Sequence, residues 1–384
     1  MLKVLVDCSE LNPANPGGVR SYTLNVTKAL AQNPKADVSV LINEQSREIF
    51  QEIAKLIPSE SFYVIKNANF LLKVTLAILE RLGLSNIHIS LKSMRVRSVL
   101  NQNSTDIVYT PTTFLNYDYG RTPSVVTIHD IQEKDFPENF SRRIRKYRDF
   151  RNRITLKYAS SIHVSSSFIE STISRSYPSL YHQELFCVIP EGVEISRYKD
   201  HDCKKKRQII FPARSWPHKN HLTLFKAMKG VGVDDMPNII VTGAAQQDFK
   251  KIFPNPSNRI VFKGVVSEQE LTDLYKESFA VISCSLYESS SLPILEGIAA
   301  GCIGIASSIP AHLEMAEHLD LELFEPTDSD ELSLLIRKLT KDFEGELNNR
   351  GRNNQKILRY DWMNVGDSLV MEFAKRMDIK ANEH

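Results

Sequence analysis

The amino-acid sequence predicts an α/β protein with two Rossmann-like domains, each a doubly wound parallel sheet with its own core. Short β-branched runs alternate with longer helical patterns along the chain, which is typical of parallel strands joined by crossover helices. A charged stretch at residues 201–207 interrupts this alternation, which then begins again. A length of 384 residues, 42% of them hydrophobic, is enough for two separate cores.

The first series of strands and helices predicts an N-terminal domain over residues 1–195. Its strands read LKVLVD, VSVLI, TDIVYT, SVVTIHD and SIHVSS, and SYTLNVTKALAQ has the pattern of a first helix. The segment CVIPEGVEISRYK is expected to be the last strand of this domain, running into the linker.

The second series predicts a C-terminal domain over residues 205–360. Its strands read RQIIFPA, NIIVTG, RIVFKG, FAVISCS and IGIAS, and its helices HLTLFKAMKG, SEQELTDLYKES and LPILEGIAAG. Residues 361–384 are expected to form a final helix that crosses back to the N-terminal domain, with Trp362 as its anchor.

Composition argues against several classes of protein. Lys3 and Asp7 interrupt the apolar N-terminus, so no signal peptide is expected, and no run of about 18 uncharged apolar residues could span a membrane. The five cysteines are scattered without a C-x-x-C pair, which argues against a disulfide framework or a zinc site. We therefore expect a cytoplasmic protein.

Positive charge is concentrated in the first half of the chain. Residues 1–190 carry 23 Lys and Arg against 17 Asp and Glu, and much of the excess lies in residues 141–158, SRRIRKYRDFRNRITLKY. Apolar and aromatic residues recur there near helical spacing, which predicts a basic amphipathic helix. Its polar face would be simply solvated, or it would contact an anionic membrane at the inner face or an anionic acceptor. Nucleic acid is not expected as a partner, because the overall charge is near neutral.

The strongest chemical signal follows the predicted strand FAVISCS, where seven residues separate Glu288 from Glu296. Glu288 would lie at the carboxyl end of the strand, where open parallel sheets bind ligands. The serines at 289–291 are suited to capping the following helix, which Gly301 would end. The start of that helix would favour a diphosphate, and Glu296 would accept hydrogen bonds from a vicinal diol. The alternative is a capped helix with two ordinary surface glutamates.

A second signal is the pair of cations Arg214 and Lys219 in IIFPARSWPHKN, directly after another predicted strand. Two such cations would neutralise a diphosphate and stabilise a leaving nucleotide. Two solvated cations in a loop are the alternative, although the intervening Trp216, Pro217 and His218 indicate a shaped loop.

Weaker signals follow three other predicted strands. Gly17 and Gly18 precede the first helix and Gly243 follows NIIVT, so each would let a ligand approach the backbone or would simply form a turn. His129, followed by Asp130, would donate a hydrogen bond to a sugar hydroxyl or position the acceptor, although a His-Asp pair is more often structural.

Taken together and in this order, these segments resemble the retaining glycosyltransferases of family 4, which have the GT-B architecture of two Rossmann-like domains facing a central cleft. The most specific part is RIVFKGVVSEQELTDLYKESFAVISCSLYESSSLPILEGIAAG, and VVTIHD, VIPEGVE and the R-x4-K of residues 214–219 support it. The resemblance implies transfer of a hexose-type sugar from a UDP- or GDP-sugar, with the anomeric configuration retained. It also implies that no metal ion or other cofactor is needed.

The resemblance further implies roles for individual residues. Arg214 and Lys219 would bind the diphosphate and Glu296 the ribose, while Glu288 and His129 would contact the transferred sugar. Four of these five residues are the expected catalytic residues: His129, Glu288, Arg214 and Lys219. The remaining donor contacts are expected from the Gly17-Gly18 loop, Gly243, Val265 beside the base, Ser290, Ser291 and Leu292.

The chain also departs from the family pattern. Similar enzymes commonly read E-G-F-G-L-P where this chain reads ESSSLP at 288–293, so both glycines of the sugar-contacting turn are serines, which would alter the donor. Cys284 replaces a common proline, and Ile303 with Gly304 replaces a common Pro-Val. We expect these last changes to concern packing.

The sequence leaves the acceptor open between a glycan and a lipid-linked saccharide. VVTIHD followed by FPENFSRR is similar to enzymes that assemble surface polysaccharides, sometimes from GDP-mannose. Two other functions remain: a nucleotide-sugar epimerase of the same architecture, and a catalytically silent protein that binds a nucleotide sugar or glycan. The three serines at 289–291 motivate the second of these.

Overall fold

The computed structural model divides the chain into two compact units. The N-terminal unit comprises Met1–Glu191 with Trp362–His384, and the C-terminal unit comprises Gly192–Asp361. The structure describes residues 1–12, 14, 17–96, 99–100, 104–198, 204–229, 236–343, 345, 353 and 355–381.

The N-terminal unit is built on a seven-stranded parallel sheet. Its strands are β1 (Leu2–Asp7), β2 (Ala36–Asn43), β3 (Phe62–Ile65), β4 (Ile107–Thr110), β5 (Ser124–Thr127), β6 (Ser161–Val164) and β7 (Phe186–Val188). They are ordered β3-β2-β1-β4-β5-β6-β7, and every neighbouring pair is parallel. The predicted doubly wound sheet is therefore confirmed.

Helices cover this sheet. They are α1 (Gly18–Gln32), α2 (Phe70–Arg81), α3 (Ser85–Ser93), α4 (Gln132–Asp135), α5 (Arg142–Tyr158), α6 (Ser167–Ser176) and α12 (Trp362–Ala381). Short 3-10 helices lie at Glu44–Ser46, Glu48–Phe50, Ile53–Lys55, Ser59–Ser61, Pro137–Asn139 and Gln183–Leu185.

The last helix of the chain, α12, belongs to the core of the N-terminal unit. Trp362 is buried there, with its ring 5.4 Å from the ring of Tyr22 on α1. A Cβ on Gly366 would lie 3.3 Å from the Cβ of Ala29, so α12 and α1 pack closely where both residues are small.

The C-terminal unit is built on a six-stranded parallel sheet. Its strands are β8 (Lys206–Pro212), β9 (Asn238–Thr242), β10 (Ile260–Gly264), β11 (Ser278–Ser283), β12 (Ile303–Ser307) and β13 (Leu321–Phe324). They are ordered β10-β9-β8-β11-β12-β13, so successive strands are added towards one edge of the sheet from β8 to β10 and towards the other edge from β11 to β13. The reversal of strand order lies between β8 and β11, which are themselves parallel. Ligands of such sheets bind beyond the carboxyl ends of the strands at this reversal.

The helices of the C-terminal unit are α7 (His221–Ala227), α8 (Glu268–Glu277), α9 (Leu292–Ala299), α10 (Pro310–Ala316) and α11 (Ser329–Lys341). Its 3-10 helices are Ile195–Tyr198, Pro217–Lys219, Gln246–Phe249 and Lys356–Tyr360. The segment predicted as the last strand and the linker is divided between the units: β7 belongs to the N-terminal sheet, whereas Val193 and Ile195 pack in the core of the C-terminal unit. Among the described residues, no helix has the length and apolar character that a bilayer crossing requires.

Two glycines fix the position of α9 against the sheet. A Cβ on Gly297 would lie 2.3 Å from the Val281 side chain of β11, so only glycine allows this contact. The helix ends in a Schellman motif, in which Gly301 at φ +76° donates to Ile298 and Cys302 donates to Gly297. The helix therefore starts close to the carboxyl end of β11.

Candidate functional site

The candidate site lies at the reversal point of the C-terminal sheet. Strands β8 and β11 pair directly, so the loops that follow their carboxyl ends are neighbours. The loop after β8 carries Arg214 and Lys219, and the loop after β11 carries Glu288. The sheet order thus brings together two signals that lie about 70 residues apart in the sequence.

Lys219 and Glu288 form an ion pair. Lys219 Nζ lies 2.5 Å from Glu288 Oε1, and only 16% and 13% of the two side chains are exposed. Ser285 donates a second hydrogen bond, of 2.6 Å, to the same carboxylate oxygen. Burial raises the pKa of Glu288, but Lys219 and Ser285 outweigh it and hold that pKa below its ordinary value. The carboxylate is therefore ionised at neutral pH.

Backbone contacts hold the two loops in place. The Leu286 N–H donates to the His218 carbonyl at 2.7 Å, which ties the loop after β11 to the loop after β8. Lys219 ends the 3-10 helix Pro217–Lys219, and Asn220 follows in the left-handed conformation at φ 52°. The Asn220 side chain donates to the Pro326 carbonyl at 2.7 Å, so the end of this turn is fixed from a third loop.

Arg214 is exposed at the edge of the same loop. Its guanidinium carbon lies 5.4 Å from the centre of the Trp216 ring, an arrangement that favours a cation–π interaction. Gly243, after β9, has φ +79°, and a Cβ there would lie 3.3 Å from the Ala213 carbonyl carbon and oxygen. Gly243 is thus required where the ends of β8 and β9 approach each other.

The start of α9 contributes the predicted serines. Ser291 precedes the helix, but its side chain makes no capping hydrogen bond, so the predicted capping role is wrong for this residue. Its ψ of 80° differs from the ψ of 150–160° at Ser141, Ser166 and Ser267, which do cap their helices. Among the described residues, the buried Ser291 hydroxyl has no hydrogen-bond partner. Ser290 and Leu292 beside it are partly exposed.

Glu296 lies on α9 with a different partner. Tyr275 Oη on α8 donates to Glu296 Oε2 at 2.8 Å. Burial raises the pKa of Glu296 to about 7, although the Tyr275 hydrogen bond and the Arg197 charge oppose it. Glu296 is therefore not an ordinary surface glutamate, and its protonation changes near neutral pH.

Val265 is exposed, whereas the three residues that depart from the family pattern outside the serine turn are buried. Val265 follows β10 and is 90% exposed, with its neighbour Gly264 at φ +67°. Cys284 and Ile303 are buried in the core of the C-terminal unit. Gly304 is also buried, and a Cβ there would lie 2.7 Å from the Leu321 side chain.

His312, on α10, is not among the residues that the sequence predicts for the site. Its ring is fully buried, and Nδ1 donates to the Ser307 carbonyl at 2.7 Å. Burial lowers the pKa of His312, while the nearby charge of Glu288 opposes this and that of Lys219 adds to it. Its Nε2 has no hydrogen-bond partner among the described residues. No motif marks this histidine, because its proximity to Glu288 arises from the fold.

The N-terminal unit carries the other predicted residues. Gly17 and Gly18 stand at the start of α1, where a Cβ on either would meet open space. His129 is buried after β5; its Nε2 donates to the Pro111 carbonyl at 2.8 Å, and Nδ1 lies 3.6 Å from Glu191 Oε1. Asp130 pairs with Arg148 at 2.6 Å. His129 is thus held through Nε2 by a backbone carbonyl, and its Nδ1 faces the Glu191 carboxylate.

A second group of charged residues in the N-terminal unit was not predicted from the sequence. It lies beyond the carboxyl end of β1, where Lys92 Nζ is 3.0 Å from Glu10 Oε1. Burial lowers the pKa of Lys92 to about 8. The neighbouring Asp7 is fully buried and accepts hydrogen bonds from Ser9, Asn116 and Tyr119, and burial raises its pKa.

Two family models match almost the whole chain. Residues 16–197 match the model described as Glycosyltransferase Family 4, and residues 194–357 match the model described as Glycosyl transferases group 1. A curated relative is the O-antigen chain mannosyltransferase RfbU of Salmonella typhimurium strain LT2, 27% identical over 246 residues. That match covers 62% of this chain and 66% of the relative, just under two thirds of its length.

Solved structures share the fold. A glycosyltransferase from Rickettsia africae ESF-5 is 18% identical, with a TM-score of 0.70 over 98% of each chain. Anabaena Alr3699/HepE in complex with UDP-glucose is 17% identical, with a TM-score of 0.68 over 98% of this chain and 100% of that one. At such identity the likeness concerns the fold, and it confirms the predicted GT-B class of parallel α/β protein.

Proposed function

The chain belongs to the group 1 glycosyltransferases of family 4, and we propose that it transfers a hexose-type sugar from a UDP- or GDP-sugar with retention of the anomeric configuration. The single observation that carries this proposal is the ion pair of Lys219 and Glu288 at the reversal point of the C-terminal sheet. It joins a cation suited to a diphosphate with a carboxylate suited to sugar hydroxyls.

The proposed roles follow from charge and position. Lys219 and Arg214 meet the negative charge of the diphosphate and stabilise the departing nucleotide as that charge grows. The start of α9, with Ser290, Ser291 and Leu292, offers backbone N–H groups to the same oxygens. Neutralisation by these groups is why we expect no metal ion or other cofactor to be required.

Further donor contacts are assigned by chemistry. The Glu296 carboxylate accepts from the ribose diol, and Val265, which is highly exposed after β10, lies against the base. Glu288 and His129 contact the transferred sugar. We assign the Gly17-Gly18 loop to the diphosphate and Gly243 to the nucleotide, because a glycine lets a ligand approach the backbone closely.

For the acceptor we propose a glycan or lipid-linked saccharide of surface polysaccharide synthesis. The support is the similarity to a Salmonella mannosyltransferase of the O-antigen chain, which also makes GDP-mannose the first donor to test. We place the reaction in the cytoplasm, with peripheral contact to the inner face of an anionic membrane through residues 141–158. The exposed cations at the start of α5 support this contact.

A panel of nucleotide sugars tests the donor. The full chain is screened by thermal shift with GDP-mannose, UDP-glucose and their nucleoside diphosphates, since a ligand that binds only the folded state raises the melting temperature. We expect one donor and its nucleotide to stabilise the wild type and to stabilise Lys219→Met less. If calorimetry detects no binding of any nucleotide sugar, the proposal fails.

Product analysis separates transfer from the other two functions. With a glycan or lipid-linked acceptor, NMR of the product of a glycosyltransferase shows a new glycosidic bond, and its anomeric coupling decides between retention and inversion. An epimerase would convert the donor sugar with no acceptor present. A silent binding protein would bind the donor and turn over nothing.

A further inference from the structure

The surface of the N-terminal unit carries an apolar helix, α2, none of whose residues is buried. Its sequence is FLLKVTLAILER. Phe70 and Leu71 are 82% and 74% exposed, and Ile78 and, just after the helix, Leu82 are 51% and 65% exposed. Monomeric proteins rarely expose a contiguous apolar patch of this kind without an interaction that uses it.

These exposed side chains lie on one side of the helix. Phe70, Val74, Ile78 and Leu82 recur every fourth residue and so follow one another along a single face, with Leu71 beside them. The leucines at 72, 76 and 79 lie on the other side and are partly buried. The helix thus packs through its inner face and leaves an outer apolar stripe of about three turns.

Helix α3 extends the same apolar surface. Leu84, in the connection, and Ile87, on α3, are also exposed. Helix α3 is in turn held to α5, because Tyr158 donates a hydrogen bond to Asn86 and the rings of His88 and Phe150 lie 5.2 Å apart. The apolar surface is therefore fixed relative to the basic helix.

The cations of α5 lie beside the connection between α2 and α3. Arg145 and Lys146 line one groove together with Gly83 and Ser85 of that connection. The charge of Arg143 also reaches α2: burial raises the pKa of Glu80, and the charges of Arg151 and Arg143 oppose that rise. Positive charge and apolar surface therefore adjoin.

These cations face solvent. Arg142, Arg143, Arg145 and Lys146 are exposed in the first turns of α5. Within the part of the chain that the structure describes, Arg142, Arg145 and Lys146 form no ion pair. Their charge is therefore available to an anionic surface.

Helix α5 alone does not supply the apolar half of a membrane-binding helix. Towards the C-terminal end of α5 the apolar side chains face the protein interior, because Ile154 and Leu156 are buried. Ile144 and Tyr147 remain partly exposed. The cations come from α5, and the exposed apolar area comes chiefly from α2.

We propose that this α2–α5 surface docks on an anionic lipid bilayer. The side chains of the α2 stripe enter the boundary between headgroups and acyl chains, and the cations of α5 contact the lipid phosphates. Charge complementarity favours this occupant over a second copy, since a symmetric pairing of two such surfaces would bring the same cations together. The proposal deepens the peripheral contact proposed above for residues 141–158 by adding the element that inserts.

Vesicle sedimentation of the full chain tests the proposal. The vesicles contain phosphatidylcholine alone, or equal parts of phosphatidylcholine and phosphatidylglycerol. We expect binding only to the second kind, weakened as salt screens the charges. Phe70→Ser/Leu71→Ser and, separately, Arg145→Glu/Lys146→Glu should each lower the partition coefficient by about tenfold or more.

Matched controls change the same chemistry elsewhere. Ile252→Ser/Met371→Ser removes two exposed apolar side chains, and Lys250→Glu/Lys251→Glu reverses two exposed cations. Both should bind vesicles as the wild type does. All four variants should bind nucleotide unchanged in calorimetry, which separates a failure of this surface from a failure of the proposed donor site.

Three results would overturn the proposal. One is wild-type protein that does not sediment with anionic vesicles at low salt. Another is an equal loss of binding in the test and control variants. The third is a wild-type dimer, seen by sedimentation equilibrium, that Phe70→Ser/Leu71→Ser makes monomeric while vesicle binding stays unchanged, since this would assign the stripe to a second copy.

Discussion

Lys219 has two roles in the proposed site, because it neutralises Glu288 and would neutralise the diphosphate. Lys219→Met removes one charge-assisted hydrogen bond to the ligand and leaves a partly buried carboxylate without its cation. We expect nucleotide affinity to fall by about 1–3 kcal/mol, measured by calorimetry with UDP and GDP. Lys226→Met, an exposed cation of α7, is the control. Equal affinity in Lys219→Met and in the control would contradict the assignment.

Glu288→Gln makes the opposite change to the same pair. The amide keeps the shape of the side chain but releases Lys219 from its ionic partner, so the nucleoside diphosphate should bind at least as tightly as to the wild type. Sugar transfer should fall steeply if Glu288 holds the transferred sugar. Calorimetry and an acceptor assay, carried out on one preparation, check both halves. Loss of nucleotide binding together with turnover would indicate that Glu288 acts only by positioning Lys219.

Glu296 predicts a pH dependence of donor binding. Burial raises the pKa of this carboxyl to about 7, so it is protonated below that pH and ionised above it. Only the ionised carboxylate accepts hydrogen bonds through both of its oxygens, one from each hydroxyl of a diol. The affinity for the nucleotide sugar should therefore rise from pH 6 to pH 8, by up to about tenfold. The ligand should be a nucleotide sugar, since the terminal phosphate of a free nucleotide titrates near pH 6.

Glu296→Gln is the control for that measurement. The amide does not titrate, so its affinity should be flat across the same range and should lie below that of the wild type at pH 8. A wild-type curve that is also flat, or one that falls with pH, would show that Glu296 does not bind the donor through its ionised form.

At the scale of the element, the contact between α9 and β11 positions the helix start. Gly297→Ala would place a Cβ 2.3 Å from the Val281 side chain, so the helix must move away from the sheet. We expect a loss of about 1–3 kcal/mol in unfolding free energy and weaker nucleotide binding, because Ser291 and Leu292 move with the helix.

A second substitution tests that explanation. Val281→Gly removes the Cβ of Val281 as well as its methyl groups, which together lie 2.3–3.1 Å from the new Cβ, so the double variant should recover binding relative to Gly297→Ala alone. A double-mutant cycle, with urea unfolding and calorimetry as readouts, measures this coupling. Additive losses would mean that the contact with Val281 is not the cause.

The strands with strong β-branched runs could be predicted from the sequence, and they carry the cations and carboxylates of the site. The edge strands β3 and β13 were not predicted: FYVI and LELF are only partly buried, unlike the equally short β4, β5 and β6, which are fully buried. The helix start after the serines was also predicted. The unpartnered Ser291 hydroxyl was not, since the backbone angle that prevents capping depends on how the loop after β11 packs.

Exposure and long-range contacts were the least predictable features. The sequence FLLKVTLAILER has the composition of a buried helix, and periodicity alone does not reveal that one apolar face of α2 is uncovered. His312 reaches the charge of Glu288 only because β12, after which it lies, pairs with β11. Tyr275 and Glu296 are likewise 21 residues apart and meet only through packing.

At the scale of the whole molecule, buried histidines in both units predict a loss of stability in acid. Burial lowers the pKa of His163, in the N-terminal unit, to about 4, and the pKa of His221, in the C-terminal unit, to about 4. Their ordinary pKa is about 6.5. Between these two values the unfolded chain binds protons that the folded chain does not. The unfolding free energy should therefore fall as the pH drops from about 6.5 to about 4, by about 3 kcal/mol for each histidine.

One tryptophan makes the N-terminal unit measurable by itself. The chain has two tryptophans, so in a Trp216→Phe background the emission of the buried Trp362 reports the core that contains α1 and α12. His163→Gln in that background removes the titrating group, so urea unfolding should show a shallower decline between pH 6.5 and pH 4. His182→Gln, at an exposed site, should keep the slope of the parent. The only pH-dependent difference between His163→Gln and its parent is the buried imidazole, whose pKa is lowered by burial. Parallel curves for the two proteins would therefore mean that protonation of His163 does not drive the acid sensitivity of this unit.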